Sequence, residues 1–175
     1  MSAEHSVASV FQVSSNSPTQ SGYRADLFLA LDSLVEASRI LKQNDFFIEN
    51  ITCLDLVEGL LLVYHFNHTQ SPGRICLRVM INHEHPEAPT ISDIYAGANW
   101  HERECFDFFG ITFTGHTNLL PLLLPADFSG DPPLRKKPGK RCDLHQLFPG
   151  RSHLPLTVQD PEFIRSVTAK PQTTP

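Results

Sequence analysis

The stretch RICLRVMI, at residues 74–81, carries the clearest secondary-structure signal in the chain. Its apolar residues fall at every second position, namely Ile75, Leu77, Val79 and Ile81. Because successive side chains of a strand point to opposite faces of a sheet, this alternation predicts a half-buried antiparallel strand. Two further strands are predicted before it, at 46–56 and 60–67, with turn signals at 58–59 and 71–73.

Two helices are predicted around these strands. Between residues 24 and 44, apolar residues recur at intervals of three and four, which is typical of one face of a helix. A second helix is predicted over residues 100–109, with Asn99 as its N-cap, Glu102 completing a capping box and Gly110 ending it. A short strand over residues 90–94 is predicted to precede the second helix, because Pro89 favours extended backbone before it.

The two ends of the chain differ in composition from the middle. Residues 1–22 are rich in Ser, Thr, Gln and Asn and are predicted to be a flexible lead-in. Ten of the 14 prolines lie in residues 121–175, which disfavours continuous helix or interior strand there. We therefore expect a domain at 23–120 and an extended, partner-binding tail at 121–175 that is sensitive to protease in the isolated chain.

Composition argues against several classes of function. The formal net charge is −5, whereas proteins that bind phosphate backbones usually carry a surplus of Lys and Arg. The N-terminus lacks the pattern of a signal peptide, so no export is expected. Apolar runs fall far short of the ~20 residues of a membrane-spanning helix, so we expect any membrane contact to be indirect.

The segment HERECFD, at residues 101–107, is the densest polar cluster. It resembles the His-Glu-x-x-His motif of zinc proteases, but Cys105 replaces the second imidazole, which argues against a hydrolase that uses zinc. Glu102 falls on the apolar side of the predicted helix, where it either caps the helix through Asn99 or forms a long-range ion pair. Arg103 and Asp107 are four residues apart, a spacing that permits mutual support on a solvated face.

Other candidate motifs point to binding rather than catalysis. His83 and His85 are expected in a polar surface turn, and the sequence has no Gly-rich phosphate loop and no recognisable nucleophile motif. The basic run RKKPGKR, at residues 135–141, is either a solvated patch or a docking strip for an acidic neighbour.

Several of these residues together resemble the signature of one family. The agreement covers roughly residues 24–138, and its most specific parts are ANWHERE at 98–104, Asp107, FGI at 109–111, Gly115-His116, LLLP at 122–125 and LRK at 134–136. In these segments the chain resembles the 30-kilodalton subunit of complex I, known in bacterial NADH-quinone oxidoreductases as the C subunit.

The resemblance implies an α+β fold, a two-layer domain with a mixed, largely antiparallel sheet and two main helices. It also implies a non-catalytic scaffold subunit of the peripheral arm, which supports electron transfer to quinone coupled to proton translocation. The expected place is the cytoplasmic face of the inner or plasma membrane. The expected partners are the quinone-site subunit of the 49-kilodalton type and neighbouring iron–sulfur subunits. Iron–sulfur clusters, flavin and quinone are expected on partners, with no cofactor or metal in this chain.

The resemblance also marks candidate interface or domain-fixing residues, which are Glu102, Arg103, Glu104, Asp107, His116, Arg135 and Lys136. The chain departs from the family pattern at three places: around residues 117–121, at the Pro132-Pro133 pair and at Lys137. These departures keep an alternative open, the equivalent small subunit of an energy-converting hydrogenase or of another donor-specific dehydrogenase. A soluble adaptor of the same fold, outside respiration, is a further alternative.

Overall fold

A computed structural model describes residues 22–70, 73–149 and 155–168. Its centre is a four-stranded sheet with the spatial order β1-β4-β3-β2. The strands are β1 (Tyr23–Phe28), β2 (Phe46–Asp55), β3 (Leu60–His68) and β4 (Arg74–Ile81). Strands β2, β3 and β4 pair antiparallel, whereas β1 pairs parallel with β4. The sheet is therefore mixed and largely antiparallel, which confirms the predicted α+β class and the three predicted strands.

The remaining elements surround this sheet. Four α-helices follow in chain order: α1 (Leu34–Gln43), α2 (Ala98–Phe109), α3 (Leu144–Leu147) and α4 (Pro161–Thr168). Short 3-10 helices lie at Leu31–Ser33 and Pro138–Lys140. Two short strands, β5 (Glu87–Pro89) and β6 (Thr112–Thr114), pair parallel and bracket α2 in the sequence. Helices α1 and α2 both pack against β2.

The first predicted helix is wrong over its N-terminal part. Residues 23–28 form β1, and α-helix begins only at Leu34. The segment fits a strand as well as a helix, because apolar residues also fall at every second position. Ala25, Leu27 and Leu29 form this alternation, and all three are buried. Pairing with β4, about 50 residues away in sequence, decides between the two patterns, and no local signal reports that pairing.

The surroundings of α2 also differ from the prediction. The helix begins at Ala98 with Gly97 as N-cap, so Asn99 lies inside it and the predicted capping box is wrong. Gly110 ends the helix in the left-handed conformation, as predicted, with φ 68° and its N–H bonded to the Phe106 carbonyl. Residues 90–94 form turns rather than the predicted strand.

Both faces of the sheet are covered. Helices α1, α2 and α4 cover one face, and the main hydrophobic core lies between them and the sheet. On the other face, Leu144 of α3 completes a second cluster that includes Cys76 of β4. Arg78 is also buried there, paired with Asp26 through two hydrogen bonds of 2.6 and 3.0 Å. Strand β4 is thus buried on both faces, and the expected half-buried strand is wrong.

The chain after residue 120 is mostly irregular, yet its described parts lie against the domain. The Val57 amide donates to the Cys142 carbonyl at 3.0 Å, and the Leu156 amide donates to the Phe28 carbonyl at 2.9 Å. Helix α4 packs on β1 with Phe163 fully buried. Binding of a partner by this segment stays a prediction, and the lead-in lies outside the described residues apart from Gly22. Among the described residues, no helix is long and apolar enough to cross a bilayer.

Substituting Phe163 tests whether α4 is an integral part of the fold. We expect Phe163→Ala to lower the free energy of unfolding by about 3 kcal/mol, because it removes a fully buried aromatic side chain. Ile164→Ala on the same helix is the matched control, since Ile164 is 48% exposed and should cost less than about 0.5 kcal/mol. Urea unfolding of the full chain measures both values, and equal small losses would show that α4 does not pack.

Candidate partner-binding surface

Helix α2 presents two chemically different faces. Cys105 and Phe109 are buried toward the sheet, and Cys105 Sγ lies 4.0 Å from the Ile51 carbonyl oxygen on β2. Trp100 and Glu104 are exposed and, being four residues apart, share the opposite side of the helix. The helix is therefore anchored by its apolar side and offers a tryptophan to solvent.

Asp107 is the strongest polar anchor on this helix. Its buried carboxylate oxygen Oδ2 accepts hydrogen bonds from the backbone amides of Leu122, Leu123 and Leu124 at 2.9, 2.7 and 3.0 Å. These amides lie between Pro121 and Pro125, where the backbone forms neither helix nor strand. A single carboxylate thus satisfies three donors that irregular backbone would leave without a partner.

Arg103 holds the same loop one turn earlier in the helix. Its Nε and Nη2 atoms donate to the carbonyl oxygens of Leu120 and Pro121, both at 2.9 Å. The predicted mutual support of Arg103 and Asp107 on a solvated face is therefore wrong, because both side chains bind residues 120–124. Together they fix this loop along the helix.

The bound loop adds apolar side chains to the exposed side of α2. Leu120 is 59% exposed and Leu123 is 62% exposed, and Trp100 on the helix is 65% exposed. We call Trp100, Glu104, Leu120 and Leu123 the Trp100 surface. Large apolar side chains exposed together are a recognised mark of a binding site, whereas single exposed ones are ordinary.

Glu102 is fully buried on the other side of the helix. Its Oε1 accepts from the Ile91 amide at 2.8 Å, and its Oε2 accepts from the Thr90 hydroxyl. The helix cap through Asn99 is therefore wrong, because Glu102 binds the turn after β5 instead. For the alternative of a long-range ion pair, His116 lies 3.9 Å away. Burial raises the pKa of Glu102 to about 7 although the two hydrogen bonds act in the opposite direction.

His116 follows β6 and points toward the same carboxylate. Gly115 adopts the left-handed conformation, with φ 86°, and turns the chain so that the His116 side chain is completely buried. The His116 Nδ1 accepts from the Asn118 amide at 3.0 Å, and its Nε2 lies 3.9 Å from Glu102 Oε2. Thus His116 and Glu102, which come from different elements, meet inside the domain.

Asp55, at the end of β2, anchors the basic run and was missed by sequence reasoning. It is buried, and its Oδ1 lies 2.8 Å from His83 Nε2 and 2.9 Å from Arg141 Nε. Its Oδ2 accepts from the Lys136 amide at 2.7 Å, and Arg135 donates to the His83 carbonyl at 3.3 Å. Residues 83–85 form the expected polar bend, with Glu84 and His85 exposed, but the His83 side chain also contacts Asp55. A single aspartate at a strand end gives no local sign of such partners.

The predicted site residues consequently fall into two groups. Glu102, Asp107 and His116 are buried, and Arg103 and Arg135 bind backbone of their own chain. These five fit the domain-fixing alternative. Glu104 and Lys136 have exposed side chains, as do Lys137 and Lys140 in the basic run. A direct role of any of these residues at an interface stays a prediction.

Metal-ligating side chains do not gather at α2 or elsewhere in the described part of the chain. No group of three or more His, Cys, Asp or Glu residues lies close enough there to hold a metal ion. Burial raises the pKa of Cys105 to about 12, which disfavours the thiolate that a metal would require. Cys105 is therefore a poor candidate for a zinc ligand in this fold.

Replacement of Asp107 tests the anchoring of the loop. In Asp107→Ala we expect hydrogen exchange at the Leu122, Leu123 and Leu124 amides to become at least about 10-fold faster, because their shared acceptor is lost. Glu104→Ala is the control on the exposed side of the helix, and it should leave these amides unchanged. Unchanged exchange in Asp107→Ala would contradict the anchoring role.

The buried Glu102 also predicts a dependence of stability on pH. Because its pKa is raised from 4.5 to about 7 in the folded chain, the folded state binds a proton that the unfolded state releases. Its contribution to stability is therefore most favourable below about pH 4.5 and declines until about pH 7.

In Glu102→Gln this decline should disappear. The difference in unfolding free energy between variant and parent should shift in favour of the variant by roughly 2 kcal/mol from pH 5 to pH 7. Urea unfolding at a series of pH values measures it, with the exposed Glu104→Gln as control. Parallel pH profiles for the parent and Glu102→Gln would refute the assignment.

Known proteins are similar to this chain over the segment that contains α2 and the loop bound to it. The sequence profile of the family described as "Respiratory-chain NADH dehydrogenase, 30 Kd subunit" matches residues 28–140. The NADH-quinone oxidoreductase C subunit of Roseiflexus castenholzii is 37% identical over 125 residues, which cover 66% of this chain and 71% of that protein. The F(420)H(2) dehydrogenase C subunit of Methanosarcina mazei is 39% identical over 95 residues, which cover 54% of this chain and 56% of that protein.

A longer relative and a solved structure extend the comparison. The NADH-quinone oxidoreductase C/D subunit of Bacteroides fragilis is 38% identical over 103 residues, which cover 52% of this chain and only 19% of that protein. A trypsin-resistant fragment of Nqo5 has a similar structure, with a TM-score of 0.51 and 29% identity, covering 54% of this chain and 82% of the fragment. The residues matched by the family profile include β2 to β6, α2 and the loop that it anchors, so the chain belongs to the family of the 30-kilodalton subunit of respiratory-chain NADH dehydrogenase.

Proposed function

We propose that the chain is a non-catalytic scaffold subunit of the peripheral arm of a complex-I-type NADH-quinone oxidoreductase. The observation that carries this proposal is that the polar and the apolar residues around α2 have different roles. The polar signature residues Asp107 and Arg103 are occupied in fixing the chain's own loop. Trp100 on the helix and Leu120 and Leu123 on the loop that it anchors are left exposed.

The Trp100 surface has the composition of a protein interface. Tryptophan is enriched among the residues that contribute most to binding, and large aliphatic side chains beside it provide apolar area to bury. A loop fixed by five hydrogen bonds to α2 loses little conformational entropy on binding, because it is already ordered. These features support recognition of a partner protein rather than turnover of a small substrate.

The proposed partner is the quinone-site subunit of the 49-kilodalton type. The NADH-quinone oxidoreductase C/D subunit of Bacteroides fragilis supports a stable protein partner, because there a region similar to this chain forms a minor part of a longer polypeptide. Joining two chains keeps them at high effective concentration, an advantage for proteins that act side by side. Neighbouring iron–sulfur subunits are proposed as further contacts.

The contribution of this subunit to electron transfer is then positional. We place iron–sulfur clusters, flavin and quinone on the partner subunits and none of them on this chain. By fixing the quinone-site subunit relative to its neighbours, the chain keeps the redox groups within reach of one another, and thereby supports proton translocation by the assembly. The proposed location is the cytoplasmic face of the inner or plasma membrane, with membrane contact through other subunits.

A second candidate is the equivalent subunit of a complex that uses another electron donor. The similarity to the F(420)H(2) dehydrogenase C subunit of Methanosarcina mazei favours keeping it. Donor-binding sites would lie on other chains, so the Trp100 surface would serve both assemblies equally. Isolation of the assembly through this chain, followed by identification of the donor subunit that co-purifies, separates the two.

Replacement of the apolar anchors tests the scaffold function. We expect Trp100→Ala/Leu123→Ser to weaken binding to the quinone-site subunit of the same organism by at least about 10-fold, because buried anchors dominate interface energy. Calorimetric titration of the full chain with that subunit measures the change in Kd.

Ile164→Ala is the matched control, because Ile164 is also half exposed. It lies on α4 beside β1, at the sheet edge opposite β2 and α2. This control should bind as tightly as the parent, and far-UV circular dichroism should show that both variants are folded. A Kd that is the same in Trp100→Ala/Leu123→Ser and in the parent would contradict the proposal.

A further inference from the structure

Two buried polar atoms on the inner side of α2 lack hydrogen-bond partners among the described residues. They are His116 Nε2 and the Tyr64 hydroxyl. Buried donors without partners are rare in folded proteins, since each one forfeits the hydrogen bonds that water gave it. Their position therefore points to a further group between them.

The hydrogen-bond pattern fixes the protonation of the His116 ring. Its Nδ1 accepts the Asn118 amide, so that nitrogen carries no proton and the neutral ring carries its proton on Nε2. The Nε2–H is therefore a donor, and Glu102 Oε2 lies 3.9 Å from it. This distance is too long for a direct hydrogen bond, which requires about 2.7 to 3.2 Å. It is short enough for one small molecule to touch both atoms.

Glu102 can accept one more hydrogen bond at this position. Its Oε1 is bound to the Ile91 amide, and its Oε2 receives only the Thr90 hydroxyl among the contacts of the described residues. A carboxylate oxygen has two acceptor directions, so one direction of Oε2 remains available. The carboxylate thus offers an acceptor where His116 offers a donor.

Tyr64 supplies a second donor from the sheet. It lies on β3 opposite Ile51, whose carbonyl contacts Cys105 on α2, so its ring belongs to the face that α2 covers. Burial raises the pKa of the Tyr64 hydroxyl, and the negative charge of Glu102 is the largest charge effect in the same direction. The hydroxyl is thus buried on the sheet face that α2 covers, where Glu102 is buried as well.

We propose that a single buried water molecule is bound between Tyr64, Glu102 and His116. Its oxygen accepts hydrogen bonds from His116 Nε2–H and from the Tyr64 hydroxyl, and it donates one hydrogen to Glu102 Oε2. Three polar partners are the usual number for a buried water in a folded protein. Water is the ligand that fits, because it can accept from two donors and donate to one acceptor, and the 3.9 Å between His116 Nε2 and Glu102 Oε2 allows it to touch both.

The water site ties three parts of the fold together. It links the sheet through β3, helix α2 through Glu102 and the turn after β6 through His116. That turn leads directly into residues 120–124, which α2 holds in place. The water site therefore fixes the position of the chain just before residues 120–124, and this role does not depend on whether the loop binds a partner.

A high-resolution crystal structure of the full chain, in which ordered waters are visible, is the direct test. We expect an electron-density peak within hydrogen-bond distance of His116 Nε2, Glu102 Oε2 and the Tyr64 hydroxyl. A direct hydrogen bond between His116 and Glu102, with no peak between them, would overturn the proposal. Nitrogen-15 NMR of the imidazole rings should in addition place the His116 proton on Nε2, and a proton on Nδ1 would overturn it equally.

A stability comparison tests the role of the tyrosine in solution. If its hydroxyl binds water, Tyr64→Phe removes a hydrogen bond and should lower Tm by roughly 2 to 6 °C. Tyr95→Phe is the matched control, because the Tyr95 hydroxyl is buried and donates directly to the Phe46 carbonyl at 3.1 Å. A comparable loss in both variants supports the water site. An unchanged or higher Tm in Tyr64→Phe alone would show that its hydroxyl is unpaired and would refute the site.

Discussion

Backbone amides outside the sheet must find acceptors, and carboxylates inside this domain provide them. Asp107 accepts three amides of the loop after β6, and Asp55 accepts the amide of Lys136. The segments that they hold are rich in proline and cannot satisfy these donors through regular pairing. Buried carboxylates thus allow irregular segments of the chain to lie against the folded domain. The Trp100 surface depends on this anchoring, because Leu120 and Leu123 belong to an anchored loop.

This constraint changes how the charged signature around α2 is understood. A run of acidic and basic residues on a helix suggests a charged face that meets another protein, but here Glu102 is buried against the turn after β5 and Asp107 beneath the loop that it binds. Arg103 binds carbonyls of its own chain. Their role is to present Trp100 and Leu123 in fixed positions. In the proposed function, recognition of the partner then depends on shape and apolar area, because the charged residues bind within the domain.

The sequence predicts the parts of the fold whose signals are local. Strand β4 and its neighbours follow from alternation, and Gly110 ends α2 as its left-handed conformation requires. Strand β1 was missed because its spacing also suits a helix, and only pairing with β4 resolves the choice. The partners of Asp55 were missed for a related reason, since Lys136 lies 81 residues away in sequence. The resemblance to the complex I subunit family identified the important residues of α2, and the structure assigns what its buried and loop-binding members do inside the domain.

The proposed function requires a folded domain that exposes Trp100 to another subunit while its carboxylates stay hydrogen-bonded within the domain. Trp100 is the single tryptophan of the chain, so 5-fluorotryptophan labelling gives one fluorine-19 NMR resonance from this side chain. Titration with the unlabelled quinone-site subunit measures the change in its surroundings most directly. The account predicts a shifted resonance that loses contact with solvent when the complex forms. A complex that forms while the resonance and its solvent exposure stay unchanged would contradict it.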